Sequence, residues 1–171
     1  MSALSSRLAT LPQRHPIGSL ALAILACELV GASGSVFTAM GLDGWYQSLA
    51  KPSLAPPNWV FGPVWTTLFA LIGVAAWRVW RSVPFAEPES VRLAALVFVG
   101  QYALNVAWSA AFFGARSTLG GLVVIGLLWL AILGTIAAFR RVDRPAAWLL
   151  VPYFAWVSFA GYLNYAIWAL N

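Results

Sequence analysis

Residues 119–139, LGGLVVIGLLWLAILGTIAAF, form a run of 21 residues without a charge. At 1.5 Å per residue such a helix is about 30 Å long, the thickness of the hydrocarbon core of a bilayer. A barrel strand would show about ten residues of alternating character, and this run is too long and too evenly apolar for that. Four more stretches share its quality, at 17–40, 60–80, 93–113 and 147–170. The sequence therefore predicts an all-α integral membrane protein, a single five-helix bundle occupying residues 1–171. The connections are short except the first, 41–59, which holds Pro52, Pro56 and Pro57. No internal repeat, low-complexity tract or second domain is visible.

Composition excludes the other classes. Of 171 residues, 61% are hydrophobic and 9% charged, against roughly 25% charged in an ordinary soluble domain. A soluble fold of this size exposes too much of its area to hide that much apolar surface. Low charge and ten Trp are the opposite of a disordered composition. One Cys, Cys27, cannot pair within the chain, and with one His, His15, no zinc site is expected. Neither a metal nor an obligatory cofactor is expected.

The net charge of +5 comes from Lys and Arg standing singly or in short runs between apolar stretches. That is the pattern of loops flanking membrane spans, so the expected partner is the lipid bilayer and not nucleic acid. Arg7, Arg14, Arg78, Arg81, Arg92, Arg140, Arg141 and Arg144 fall on the N-terminal side, and Lys51 and Arg116 on the other. The positive-inside rule then places the N-terminus in the cytoplasm of a cell membrane, with the C-terminus and the long first loop outside. Residues 1–16 read as a cytoplasmic tail, since the apolar run behind them is too long for a signal-peptide core.

Polar and aromatic residues fall on faces. Gln101, Asn105, Trp108 and Phe112 are spaced 4, 3 and 4 and share one face of the third helix. Ala103, Ala107 and Ala111, with Gly100 and Gly114, form a small, smooth strip elsewhere on it, suited to close helix approach and a homodimer or to a neighbouring helix of the same chain. In the fifth helix Tyr153, Trp156, Ala160 and Asn164 share a face behind Pro152, where a helix start tolerates proline. In the second, Trp65, Phe69, Ile72 and Ala76 do so after a bend expected at Gly62-Pro63. Trp80 and Trp168 read as interfacial belt residues. Two readings of the amides stay open: bonds between helices, or the floor of a ligand cavity. Such a cavity would suit a flat, largely apolar ligand with a few polar edges. Glu28 is the one carboxylate within a span, beside the small stripe Ala23, Cys27, Gly31 and Ser35; it is either a protonated structural acid or a proton-coupling group.

The segment Trp45-Tyr46, Leu49, Lys51-Pro52, Pro56-Pro57, Trp59-Val60-Phe61 and Trp65-Thr66 resembles the first-loop signature of the translocator protein family (TspO/MBR, the tryptophan-rich sensory proteins or peripheral benzodiazepine receptors). Gln101, Leu104-Asn105, Trp108 and Phe112-Phe113 resemble its third-helix motif. Pro152-Tyr153, Trp156, Ala160 and Leu163-Asn164 resemble that of the fifth. The resemblance runs from Trp45 to Asn171 and implies a five-helix bundle, often dimeric, binding porphyrins or haem in a pocket closed by the first loop. By motif, Tyr46, Pro56, Trp65, Asn105, Trp108, Tyr153 and Trp156 would line it. Leu54 stands where many members have Trp, and Phe69 where Tyr is common. After Tyr165 no Lys or Arg follows, so the family's sterol motif is incomplete and counts against a sterol partner. The expected function is tetrapyrrole binding with a transport, sensing or regulatory role. The alternatives are light- and oxygen-dependent tetrapyrrole degradation using Trp65 and Trp156, and a proton-coupled exporter using Glu28.

Overall fold

A computed structural model describes residues 7–42 and 44–171. Residues 1–6 of the expected tail lie outside the described residues. Five long helices are labelled in chain order: α1 Pro16–Leu42, α2 Phe61–Ser82, α3 Pro88–Ser109, α4 Thr118–Val142 and α5 Val151–Leu170. With their flanking turns they make five segments long and apolar enough to cross a membrane.

Each segment outruns its apolar stretch at one end or both, and for a physical reason. Hydropathy marks what sits in hydrocarbon, whereas the backbone ladder continues until a cap or a proline stops it. Pro88 starts α3 with Glu89 in the first turn, where both proline and acid are favoured. Ser117 caps α4, its Oγ accepting the Gly120 N–H at 2.9 Å. The Gly62-Pro63 pair, where a bend was expected, falls in the first turn of α2. A 3-10 turn, Asn58–Val60, leads into α2, and Pro63 falls in its first turn, where an N–H would have no intrahelical partner.

Two irregularities matter. The end of α3 widens into a π turn, Ala110–Gly114, in which the Ala115 N–H bonds to the Ala110 carbonyl at 2.8 Å. The fifth span is broken: a six-residue helix, Arg144–Leu149, precedes α5, and Pro152 sits in the first turn after the break. Asp143 holds the joint. Its Oδ1 accepts the Ala146 N–H at 2.8 Å, and the carboxylate takes both Nε and Nη2 of Arg78 at 3.0 and 3.1 Å. This forked, half-buried pair ties α2 to the head of the fifth span.

Helix contacts set a ring in the order α1, α2, α5, α4, α3. Towards the Arg-rich end the bundle is solid, filled by Ala75, Ala94, Ile132, Phe139, Ala146 and Leu150. The N-terminal segment docks there: Gln13 Nε2 donates to the Arg81 carbonyl at 2.7 Å, and Trp80 Nε1 to the Leu8 carbonyl at 3.0 Å. Trp80 thus uses its N–H to hold this segment.

α1 and α2 approach closely at Gly73, where an added Cβ would stand 2.6 Å from the Ile24 Cα. Backbone cannot swing aside as a side-chain tip can. Gly73→Val should therefore cost about 1–3 kcal/mol and lower the thermal midpoint in detergent. Gly134→Ala, whose Cβ meets open space, should not. Equal midpoints for both variants would contradict the close approach.

Candidate ligand cavity

The half of the bundle near the first loop is hollow. A cavity of about 430 Å3 opens between α1, α2, α3 and α5, inside the roughly 300–1,000 Å3 range of small-molecule sites. α4 contributes nothing to its wall.

The hollow begins with missing side chains on α1. Gly31 and Gly34 face inward and are buried, and Ser35, Thr38 and Leu42 continue the same wall. A Cβ on Gly31 would overlap the ring of Phe69, so this glycine is what lets Phe69 lie against α1. Phe69 in turn stacks on Trp65, with centroids 5.3 Å apart and planes 25° from parallel. Across α1, on α3, Trp108 stacks on Phe112 at 5.6 Å and 20°. Two flat aromatic pairs thus line the cavity from helices that are not neighbours in the ring.

The π turn shapes the upper wall. Phe112 and Phe113, adjacent in sequence, are both buried and both on the cavity. The first loop closes over them: its short helix, Trp45–Ser48, sets Tyr46 5.5 Å from Phe113 and Trp45 edge-on to Phe112 at 5.4 Å. Gly44 makes the turn into that helix with φ +89°, a conformation that favours glycine. Burial raises the Tyr46 phenol above its ordinary pKa, so it stays a neutral group on the wall. Asn171 pins the loop. Its Oδ1 accepts the Ala50 N–H at 3.0 Å, and its Nδ2 donates to the carbonyls of Ala50 (3.1 Å) and Ile167 (2.8 Å).

Two amides serve the wall differently. Asn164 Oδ1 accepts the Trp108 indole N–H at 3.1 Å, and its Nδ2 donates to the Thr118 carbonyl at 2.8 Å. That spends the amide on structure, joining α5, α3 and the start of α4. Asn105 Nδ2 donates to Tyr153 Oη at 2.9 Å. Its Oδ1 has no partner among the described residues, which leaves an acceptor on a cavity residue for a ligand's donor.

Of the residues singled out from sequence, Tyr46, Trp65, Phe69, Asn105, Trp108, Phe112 and Asn164 line the cavity. Pro56, Gln101, Tyr153 and Trp156 do not. Tyr153 stands behind Asn105. Trp156 stands behind Phe61, edge-on at 5.9 Å, with its Nε1 buried and unpaired among the described residues. Gln101 is 1% exposed and neither polar atom of its amide has a partner there. Of the two Trp considered for redox chemistry, only Trp65 reaches the ligand space. Glu28 also lines the cavity, at the edge remote from the loop. Ala103 is exposed and Ala107 and Ala111 are half-buried. The start of α4 covers the far end of the strip, for the Ala111 Cβ lies 3.9 Å from where Gly120 would carry one. Sequence reading missed most of the α1 wall, whose signal was the small stripe through Gly31 and Ser35, together with Ser109 and Ile167, and it quoted Phe113 and Leu163 within motifs without assigning them to the wall. Among the described residues no group of His, Cys, Asp or Glu could hold a metal.

Comparison with known proteins gives a consistent result. The model of the TspO/MBR family matches residues 23–169. The tryptophan-rich protein TspO of Chlorobaculum tepidum is 47% identical over 157 residues, covering 90% of this chain and 96% of that protein. Protein CrtK of Rhodobacter capsulatus is 40% identical, over 88% of this chain and 91% of its own. The translocator protein of Homo sapiens is 44% identical, over 74% of this chain and 75% of its own.

The Asn164 bridge yields a direct prediction. Asn164→Leu strands the Trp108 N–H, at about 1–3 kcal/mol for a donor left unpaired, and removes the tie to the Thr118 carbonyl, which keeps its bond within α4. The thermal midpoint should drop by several degrees and Trp108 should lose its fixed orientation, read as reduced near-UV circular dichroism. An unchanged midpoint and spectrum would show that the bridge does not hold the wall.

Proposed function

The chain belongs to the TspO/MBR family, and on that premise we propose that it binds a planar tetrapyrrole, a porphyrin or haem, in the cavity between α1, α2, α3 and α5. It is a multi-pass membrane protein of a family whose members include translocator proteins and tryptophan-rich sensory proteins. A transport or sensing role fits those names.

One observation carries the tetrapyrrole proposal: the stacked pairs Trp65–Phe69 and Trp108–Phe112 bordering one hollow. Flat rings offset-stacked on indole and phenyl faces gain area and quadrupole complementarity together. The rest of the wall is apolar or small, apart from hydroxyl and amide groups and the single acid, Glu28. Large apolar area with a few placed polar atoms is the general character of sites for flat organic ligands. No nucleophile with an adjacent base is present on the wall, so binding rather than acyl or phosphoryl chemistry is what the residues support.

Titrating the purified protein with protoporphyrin IX should quench its Trp emission with micromolar-class affinity. Trp65→Ala and Asn105→Ala should each weaken binding by roughly tenfold, equivalent to about 1.4 kcal/mol. Trp156→Phe, one layer behind Phe61, should bind like the parent. Equal affinities for Trp65→Ala, Asn105→Ala and the parent would put the ligand somewhere else.

A further inference from the structure

The distribution of charge about the cavity is lopsided. Of its lining residues Glu28 is the single acid, and none is a cation. Glu28 lies 14 residues before Leu42 on α1, so about 21 Å of helix separates it from the loop end of the wall. At that loop end stands Lys51. Its ammonium rests 4.7 Å from the centroid of the Tyr46 ring, and Tyr46 is part of the cavity wall. The cation thus touches a residue of the wall without lining the hollow itself.

Lys51 is poorly engaged where it stands. Its Nζ donates only to the carbonyls of Gln47 and Leu49, at 3.5 and 3.4 Å, both at the long limit of hydrogen bonding. Among the described residues it has no carboxylate partner, the one ion pair there being Arg78–Asp143. The side chain is exposed, so nothing needs to be displaced before an anion reaches it. A cation held over an aromatic ring at the rim, with none on the wall itself, marks the loop end as the place for an anionic group.

We propose that Lys51 anchors the carboxylate groups of the ligand, holding a planar apolar acid with its acidic edge at the loop and its apolar edge between Trp65 and Trp108. The proposal rests on the tetrapyrrole reading above and adds the orientation of the ligand and the group that selects for an acidic one. Inside the hollow a carboxylate would meet no cation and would lie on the side of Glu28. At the rim it meets an ammonium and stays in contact with water, avoiding the cost of burying an unpaired charge. The attraction is exposed and screened, so its effect is modest, roughly three- to tenfold in affinity.

The test is a titration of the full-length protein with protoporphyrin IX, which carries two carboxylates, and with its uncharged dimethyl ester. Both are followed by Trp quenching, in the parent, Lys51→Gln and Lys51→Glu. The diacid should bind the parent more tightly than it binds Lys51→Gln by roughly three- to tenfold, and Lys51→Glu should bind it more weakly still. The ester should titrate alike into all three, which also reports that the variants are folded. Raising the salt concentration should shrink the diacid's advantage and leave the ester alone. Diacid affinities that ignore residue 51, with the ester still binding, would overturn the anchor while sparing the cavity. Failure of both porphyrins to bind the parent would overturn the tetrapyrrole reading and the anchor with it.

Discussion

Asn164 is the joint on which the hollow half of this bundle depends. Its amide receives the Trp108 indole N–H from α3 and gives an N–H to the Thr118 carbonyl at the start of α4. In lipid, polar groups must find partners inside the protein, so one amide placed among three helices fixes their mutual rotation. With Trp108 held this way, its stack with Phe112 is fixed too, and the π turn that follows brings Phe113 onto the same wall. The first loop then has an aromatic floor on which Tyr46 and Trp45 settle.

The bundle divides its work by height. At the Arg-rich end small and branched residues fill the interior, and Gly73 lets α1 and α2 close up. The Arg78–Asp143 fork steadies the break in the fifth span there. At the loop end the same α1–α2 pair is held open by ring on glycine, Phe69 against Gly31. One helix pair thus makes both a dry contact and a cavity wall, according to which side chains are absent.

The fold was legible because the bilayer imposes a length, and runs such as 119–139 can satisfy it in one way. The aromatic face through Trp65 and Phe69 was legible for the same reason, since helical period alone places them together. Depth was not legible. Gln101 and Asn105 share a face, yet only Asn105 reaches the cavity, and Trp156 sits one layer behind Phe61. Periodicity reports direction around a helix and says nothing of what stands in front. Much of the α1 wall was missed because its defining feature at Gly31 and Gly34 is the lack of a side chain. Helical period placed Phe112 on the inward face, but that Phe113 beside it also turns inward was out of reach, for the π turn breaks the 3.6-residue period that the reading assumed.

The ten Trp are spread over both halves of the molecule and make their own set of reporters. Indole nitrogen labelling, with each N–H resonance assigned by single substitution, would follow all of them in one nuclear magnetic resonance titration with protoporphyrin IX. A macrocycle stacked in the hollow must move Trp65 and Trp108 most through its ring current, and Trp45 beside Phe112 next. Trp77 and Trp80 at the Arg-rich end, Trp129 on α4 and the exposed Trp148 should hold their positions. Largest shifts at Trp129 or Trp148, with Trp65 and Trp108 unmoved, would contradict the cavity between α1, α2, α3 and α5 as the ligand site.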